Sequence, residues 1–177
     1  MGQLFPVLSD RHIEFIGQQH LYFVATAPKR GRINLSPKGL DSLRVISPNR
    51  IIWLNLTGSS NETSAHLLED PRMTIMFCSF DEKPLILRTY GTASTTHPNE
   101  GGWSELYDHF PHSVGARQLI ELKVDLVHSS CGFGVPRMEL IGERETLNQW
   151  IEKKGTEGIR QYWREKNQIS MDGRPTR

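Results

Sequence analysis

Cysteine is scarce in this chain: two of 177 residues, Cys78 and Cys131, and they form no CxxC pair. That leaves a disulfide framework and a zinc knuckle unsupported and makes a reduced, cytoplasmic setting the expectation. No apolar run approaches the roughly 20 residues that a membrane helix needs. The opening MGQLFPVLSDRH has no basic region leading into an apolar one, so neither a membrane span nor an export signal is expected. A myristoylation signal is equally unsupported, because Pro6 stands where that motif needs Ser or Thr. An excess of one charge is missing too, with 21 Lys plus Arg against 20 Asp plus Glu. No overall field then draws the protein to nucleic acid or to an anionic membrane, and any anion site has to be local. There is no G-x-S-x-G elbow, which leaves hydrolysis unsupported. His109 and His112 are spaced to bracket a metal, but no third ligand joins them, so no metal site is expected.

What is present is a succession of short strand-like segments in a chain long enough for one domain with a proper core. Ser9 or Asp10 can cap a helix running to about Gln19. Strands are expected at Leu21–Ala27, Leu43–Ile46, Arg50–Leu56, Met73–Phe80, Pro84–Ser94 and Gln118–Val127. The Ser-Pro-Asn turn makes an antiparallel hairpin of the second and third of these, and Gly91 marks a bulge or close approach. A short helix is expected after Asn61 or Thr63, another over Trp103–Phe110, and a pair over Glu143–Lys154 and Thr156–Lys166 around Gly155. Gly132, Gly134 and Pro136 make His128–Met138 irregular, and the tail SMDGRPTR is expected to be loose unless contacts order it. The sum is mainly β: an antiparallel sheet or barrel with small helices at its ends.

Two stretches carry the functional signal. In RINLSPKGLDSLRV, the residues Asn34, Ser36 and Lys38 alternate, so an extended chain projects them from one face as a polar stripe with one cation. Pro37 and Gly39 interleave them and break the strand where that cation would meet an anion, although a solvated hairpin turn has the same composition. In NLTGSSNET, a strand feeds a small-residue loop and then a helix start. Asn61 and Thr63 stand there, with backbone N–H groups and the positive end of a helix dipole converging on one point. Such loops also serve simply as caps. Arg88 interrupts an apolar run and needs a partner, which a ligand or a solvated face equally supplies.

Taken together, INLSPKG with LRV, then NLTGSSNET, RTYG and SSCGFGVP resemble the pyridoxamine 5'-phosphate oxidase-like, FMN-binding split-barrel family, in the branch that carries the Ser-Pro-Lys-Gly turn. The resemblance covers about Leu21–Pro136. It implies a six-stranded antiparallel split β-barrel, a homodimer, and FMN in clefts between the two subunits. On that basis residues 1–140 form the FMN-binding domain, and residues 141–177 a C-terminal helical extension and tail of it. Asn34, Ser36, Lys38 and Gly39 are expected along the flavin and its phosphate, with Asn55, Thr57 and Gly58 on the ribityl chain.

The chain departs from the vitamin B6 enzyme at two places. Glu62 and Thr63 stand where that enzyme puts an Arg-Lys pair on the phosphate, so the charge falls to Lys38, Arg88 or another cation, helped by Asn61, Thr63 and the helix start. The C-terminal Arg motif that grips the vitamer phosphate is not recognisable, which speaks against pyridoxamine phosphate as substrate. Arg44 and Arg88 are candidates to tune the flavin, with a surface pair to Asp41 as the other role for Arg44. Trp53, Trp103 and Phe133 are candidates to stack on the ring or to pack the core, and Cys131 to line the cleft from the partner chain. The expected function is a flavin-dependent oxidoreductase acting on a small molecule. A non-catalytic flavin carrier or sensor, and an F420-dependent reductase, are the alternatives.

Overall fold

The computed structural model describes residues 2–177. Among them the elements run β1 (Gln3–Phe5), α1 (Asp10–Gly17), β2 (Tyr22–Thr26), β3 (Asn34–Lys38), β4 (Leu43–Ser47) and β5 (Arg50–Leu56). They continue through α2 (Glu62–Glu69), β6 (Arg72–Cys78), β7 (Leu85–Thr96), α3 (Trp103–Tyr107), β8 (Ala116–Cys131) and α4 (Thr146–Lys166). All strand pairings are antiparallel, in the order β3-β2-β6-β7-β8-β5-β4, with β1 beside β8. The two end strands, β3 and β4, are not paired with each other, so the sheet is split rather than closed, with helices around it. This is the expected architecture, with eight strands where the resemblance implied six.

Alternation explains most of the strands. β2 buries Tyr22, Val24 and Thr26 and turns Phe23 and Ala25 outward. β5 breaks the pattern because both of its faces are covered. Ile51 and Trp53 enter the main core beside Val24, Ile75, Leu87 and Ile120, while Ile52 and Leu54 enter a second cluster with Leu106, Phe110 and Leu119 beneath α3. Pro37 is tolerated inside β3 because that strand lies at the sheet edge. Ser9 caps α1 in a reciprocal box with His12, and the helix ends at Gly17.

Three segments differ from expectation. β8 continues through His128–Cys131, because these residues pair with Leu85–Arg88 and, as far as Ser129, with β1. Partner strands on both sides override the flexibility signalled by the glycines beyond. α4 begins at Thr146 rather than Glu143 and bends at Gly155, whose φ of 63° and ψ of 178° divide it into the expected pair. The tail is ordered: Ile169 bridges Pro175, Asp172 pairs with Arg32, and Arg174 reaches Glu69. Ser64 Oγ donates to Thr176 O at 2.7 Å, tying the tail to α2. No helix among the described residues is long and apolar enough to cross a membrane.

Candidate functional site

The register of β3 on β2 sets Asn34, Ser36 and Lys38 opposite Thr26, Val24 and Tyr22, all buried. Directly opposed residues share a face, so the polar stripe lies on the inner side of the edge strand, while Leu35 and Pro37 are exposed on the outer side. Ser36 Oγ donates to Asn34 Oδ1 at 3.0 Å, and Asn34 Nδ2 donates to Thr63 Oγ1 at 3.2 Å, which joins the stripe to the first turn of α2. Lys38 Nζ stands 5.1 Å from the ring centroid of buried Trp53. No carboxylate pairs with it among the described residues. Burial, followed by the nearby positive charge of Arg117, brings the Lys38 pKa down to about 8. Gly39 O accepts from Ser42 Oγ at 2.7 Å, and Leu40 takes the left-handed φ of 59°, so the chain turns sharply behind the ammonium.

A second polar group lies at the end of β5. Asn55 Nδ2 donates to Gln118 Oε1 at 2.8 Å and to Asn61 Oδ1 at 3.4 Å. Gln118 Nε2 continues the network to Ser64 Oγ at 2.9 Å. Arg117, next to Gln118 on β8, is buried, and its Nη atoms donate only to neutral oxygens: Ser60 O at 3.0 Å, Asn167 Oδ1 at 2.8 Å and Asn55 Oδ1 at 3.4 Å. Its Nε has no partner among the described residues. Burial lowers the Arg117 pKa to about 10, so the group stays protonated at neutral pH. Thr57 Oγ1 donates to Gly115 O at 2.9 Å and accepts from Trp163 Nε1 at 2.9 Å, and Gly58 O accepts from Asn167 Nδ2 at 3.1 Å. The loop before α2 is thus clamped from behind by α4. Asn61 occupies the cap position of α2 without a side-chain cap bond. Glu62 is buried, and its Oε1 accepts from the Met171 N–H at 2.8 Å.

Of the residues singled out from the sequence, the fold gathers Asn34, Ser36, Lys38 and Thr63 into one group and Asn55, Thr57, Gly58 and Asn61 beside it. It does not bring Arg44, Arg88, Cys131 or Phe133 to them within one chain. Arg44, on the opposite edge of the sheet, is held by Asp41 at 2.9 Å and stacks 4.9 Å over Phe110. Arg88 opposes Met76, which opposes Phe23, which opposes Pro37, so this row faces away from Lys38. Its Nη1 donates to Ser130 Oγ at 3.2 Å. Cys131 is exposed, and Phe133 is 82% exposed. Arg117 and Gln118 went unnoticed in the sequence. The available signal was a cation and an amide opening a long apolar alternation with no acidic residue between Asp108 and Glu121.

A family model described as pyridoxamine 5'-phosphate oxidase matches residues 8–131. Among curated proteins, the pyridoxamine 5'-phosphate oxidase family protein ustO of Aspergillus flavus is 38% identical over 193 aligned positions, covering 99% of this chain and 78% of its own. Among solved structures, a variant of HupZ from Group A Streptococcus superposes with a TM-score of 0.57 at 19% identity, covering 70% of this chain and 99% of its own. A candidate pyridoxamine 5'-phosphate oxidase of Lactobacillus delbrueckii gives 0.56 at 15%, covering 70% and 94%. A FAD-binding protein of Mycobacterium smegmatis gives 0.50 at 11%, covering 71% and 97%. At these identities the structural matches bear on the fold alone.

Proposed function

Since the chain belongs to the pyridoxamine 5'-phosphate oxidase family, we propose that it is an FMN-binding flavoprotein. In this reading it acts as a homodimeric oxidoreductase on a small molecule other than the B6 vitamer. The observation that carries the proposal is Lys38, a cation paired with no carboxylate among the described residues, set in a polar stripe that is hydrogen-bonded to the start of α2. These residues fit a flavin phosphate. The ammonium supplies charge, Asn34 and Ser36 supply neutral donors and acceptors, and Arg117 adds positive potential from behind. Glu62, which looks hostile to a phosphate in the sequence, has one carboxylate oxygen on the tail's Met171 N–H.

FMN, when bound, supplies the hydride or electron transfer, and the chain binds and orients it. Asn34, Ser36, Lys38 and Gly39 would lie along the cofactor, with Asn61 and Thr63 toward the phosphate, whereas Pro37 is exposed on the outer face in the row of Arg88. Asn55, Thr57 and Gly58 would wall the ribityl chain, the latter two chiefly as shape, since Gly115, Trp163 and Asn167 engage their polar atoms. Arg88, Cys131 and Phe133 suit the other half of an interfacial site, closed by a second copy. That role fits an Arg on the outer face and an 82% exposed Phe133. Arg44, engaged by Asp41 and Phe110, is left out of the proposed site.

Anaerobic mixing of the flavin-loaded protein with NADH or NADPH tests turnover. Bleaching of the flavin absorbance with either supports a reductase. A complex that stays oxidised with both would make the protein a flavin carrier or sensor.

A further inference from the structure

The tail beyond α4 is fastened to both elements that support the polar stripe. Toward β3, Asp172 Oδ2 accepts from the Arg32 N–H at 2.8 Å, its other oxygen pairs with the Arg32 guanidinium, and Arg174 donates to Arg30 O. Arg32 stands two residues before Asn34. At Gly31 the φ is 127°, and a Cβ there would come 2.6 Å from Asp172 Oδ2 and 3.0 Å from Arg174 Nη1, so only glycine lets the tail lie this close. Toward α2, the Met171 N–H donates to Glu62 Oε1 at 2.8 Å, Ser64 Oγ donates to Thr176 O, and Arg174 pairs with Glu69. Glu62 is the decisive group. It opens α2, its residue is 7% exposed, and no Lys, Arg or His pairs with it among the described residues. A buried carboxylate needs donors, and here the tail provides one.

We infer that the tail is a positioning element of the flavin site: the Met171 N–H, set in place by Asp172, holds the Glu62 carboxylate off the anionic end of the cofactor. The inference rests on the flavin reading, because Glu62 lies between Asn61 and Thr63, the two residues proposed to face the phosphate. A carboxylate fixed by a charge-assisted hydrogen bond stays with its donor. Once the tail lets go, the same carboxylate is free to turn to the positive end of α2, where it competes with the phosphate and repels it. A neutral flavin feels neither effect. The tail thereby sets the preference for a phosphorylated over an unphosphorylated flavin, and Glu62 at a phosphate-facing helix start is tolerated because the chain supplies its own restraint.

The test compares the full chain with Asp172→Ala, Glu62→Gln and the double variant, each titrated with FMN and with riboflavin. Hydrogen exchange at the Met171 amide reports whether the tail has let go, and it is expected to quicken in Asp172→Ala. That variant should bind FMN about tenfold more weakly, the scale of one like charge brought near the phosphate, and riboflavin as before. Asp172→Ala removes a negative charge, so the general field alone would favour FMN, and a weaker complex has to come from the released tail. Adding Glu62→Gln, which keeps an acceptor for Met171 and loses the charge, should restore FMN binding to the level of Glu62→Gln alone. Exchange that stays slow, FMN affinity unchanged by Asp172→Ala, a loss shared by riboflavin, or a loss that Glu62→Gln does not rescue would each overturn the inference and leave the flavin reading standing. A wild-type chain that binds no FMN would overturn both.

Discussion

Lys38 holds an ammonium that no carboxylate among the described residues answers, over a tryptophan ring and on the inner side of an edge strand. If it bonds the flavin phosphate, Lys38→Ala should weaken FMN binding by about 1.5–3 kcal/mol, the range of a charge-assisted hydrogen bond. Riboflavin, which has no phosphate, should bind both proteins alike, and comparing the two titrations checks this. The pH dependence follows from the same residue. Burial and Arg117 lower its pKa from 10.5 to about 8. Between those values the folded chain holds fewer protons than the unfolded one, so the Lys38 contribution makes the free protein more stable as pH rises through that window. Anion binding runs the opposite way, because it needs the ammonium protonated. FMN affinity should therefore fall as pH rises above about 8 while riboflavin affinity does not, and parallel profiles for the two flavins would remove Lys38 from the phosphate.

At the scale of the element, the β7–β8 pair depends on a glycine. The register slips between Tyr90 and Gly91, and a Cβ at Gly91 would come 1.9 Å from Lys123 O, a backbone atom with no freedom to yield. Gly91→Ala should destabilise the protein by about 3 kcal/mol, the upper end of overpacking costs, as read by denaturant unfolding. That bulge was visible in the sequence because glycine is out of place inside a strand. The polar stripe was visible because strand periodicity is local. β8 was cut short because the strands that hold its last residues come from Gln3–Phe5 and Leu85–Arg88, far away in sequence. Arg117 was missed for the same kind of reason: its significance lies in a carboxylate that is absent in space, which no window of sequence displays. The ordered tail is also a tertiary effect, fixed by Arg32, Glu62, Ser64 and Glu69 at long sequence separation.

For the whole molecule, the residues proposed for the flavin site do not all meet within one chain. The inner stripe gathers the phosphate-binding candidates, while Arg88 faces the other way and Cys131 and Phe133 lie exposed. A second copy would reconcile these placements, so the protein should sediment at twice its 20.2 kDa chain mass. A monomer at micromolar concentration would contradict an interfacial flavin. The most direct measurement is a spectroscopic titration of the purified protein with FMN. The expected result is a yellow complex that saturates at one FMN per chain and is weakened by Lys38→Ala. A colourless protein that takes up no added FMN would contradict the proposed function.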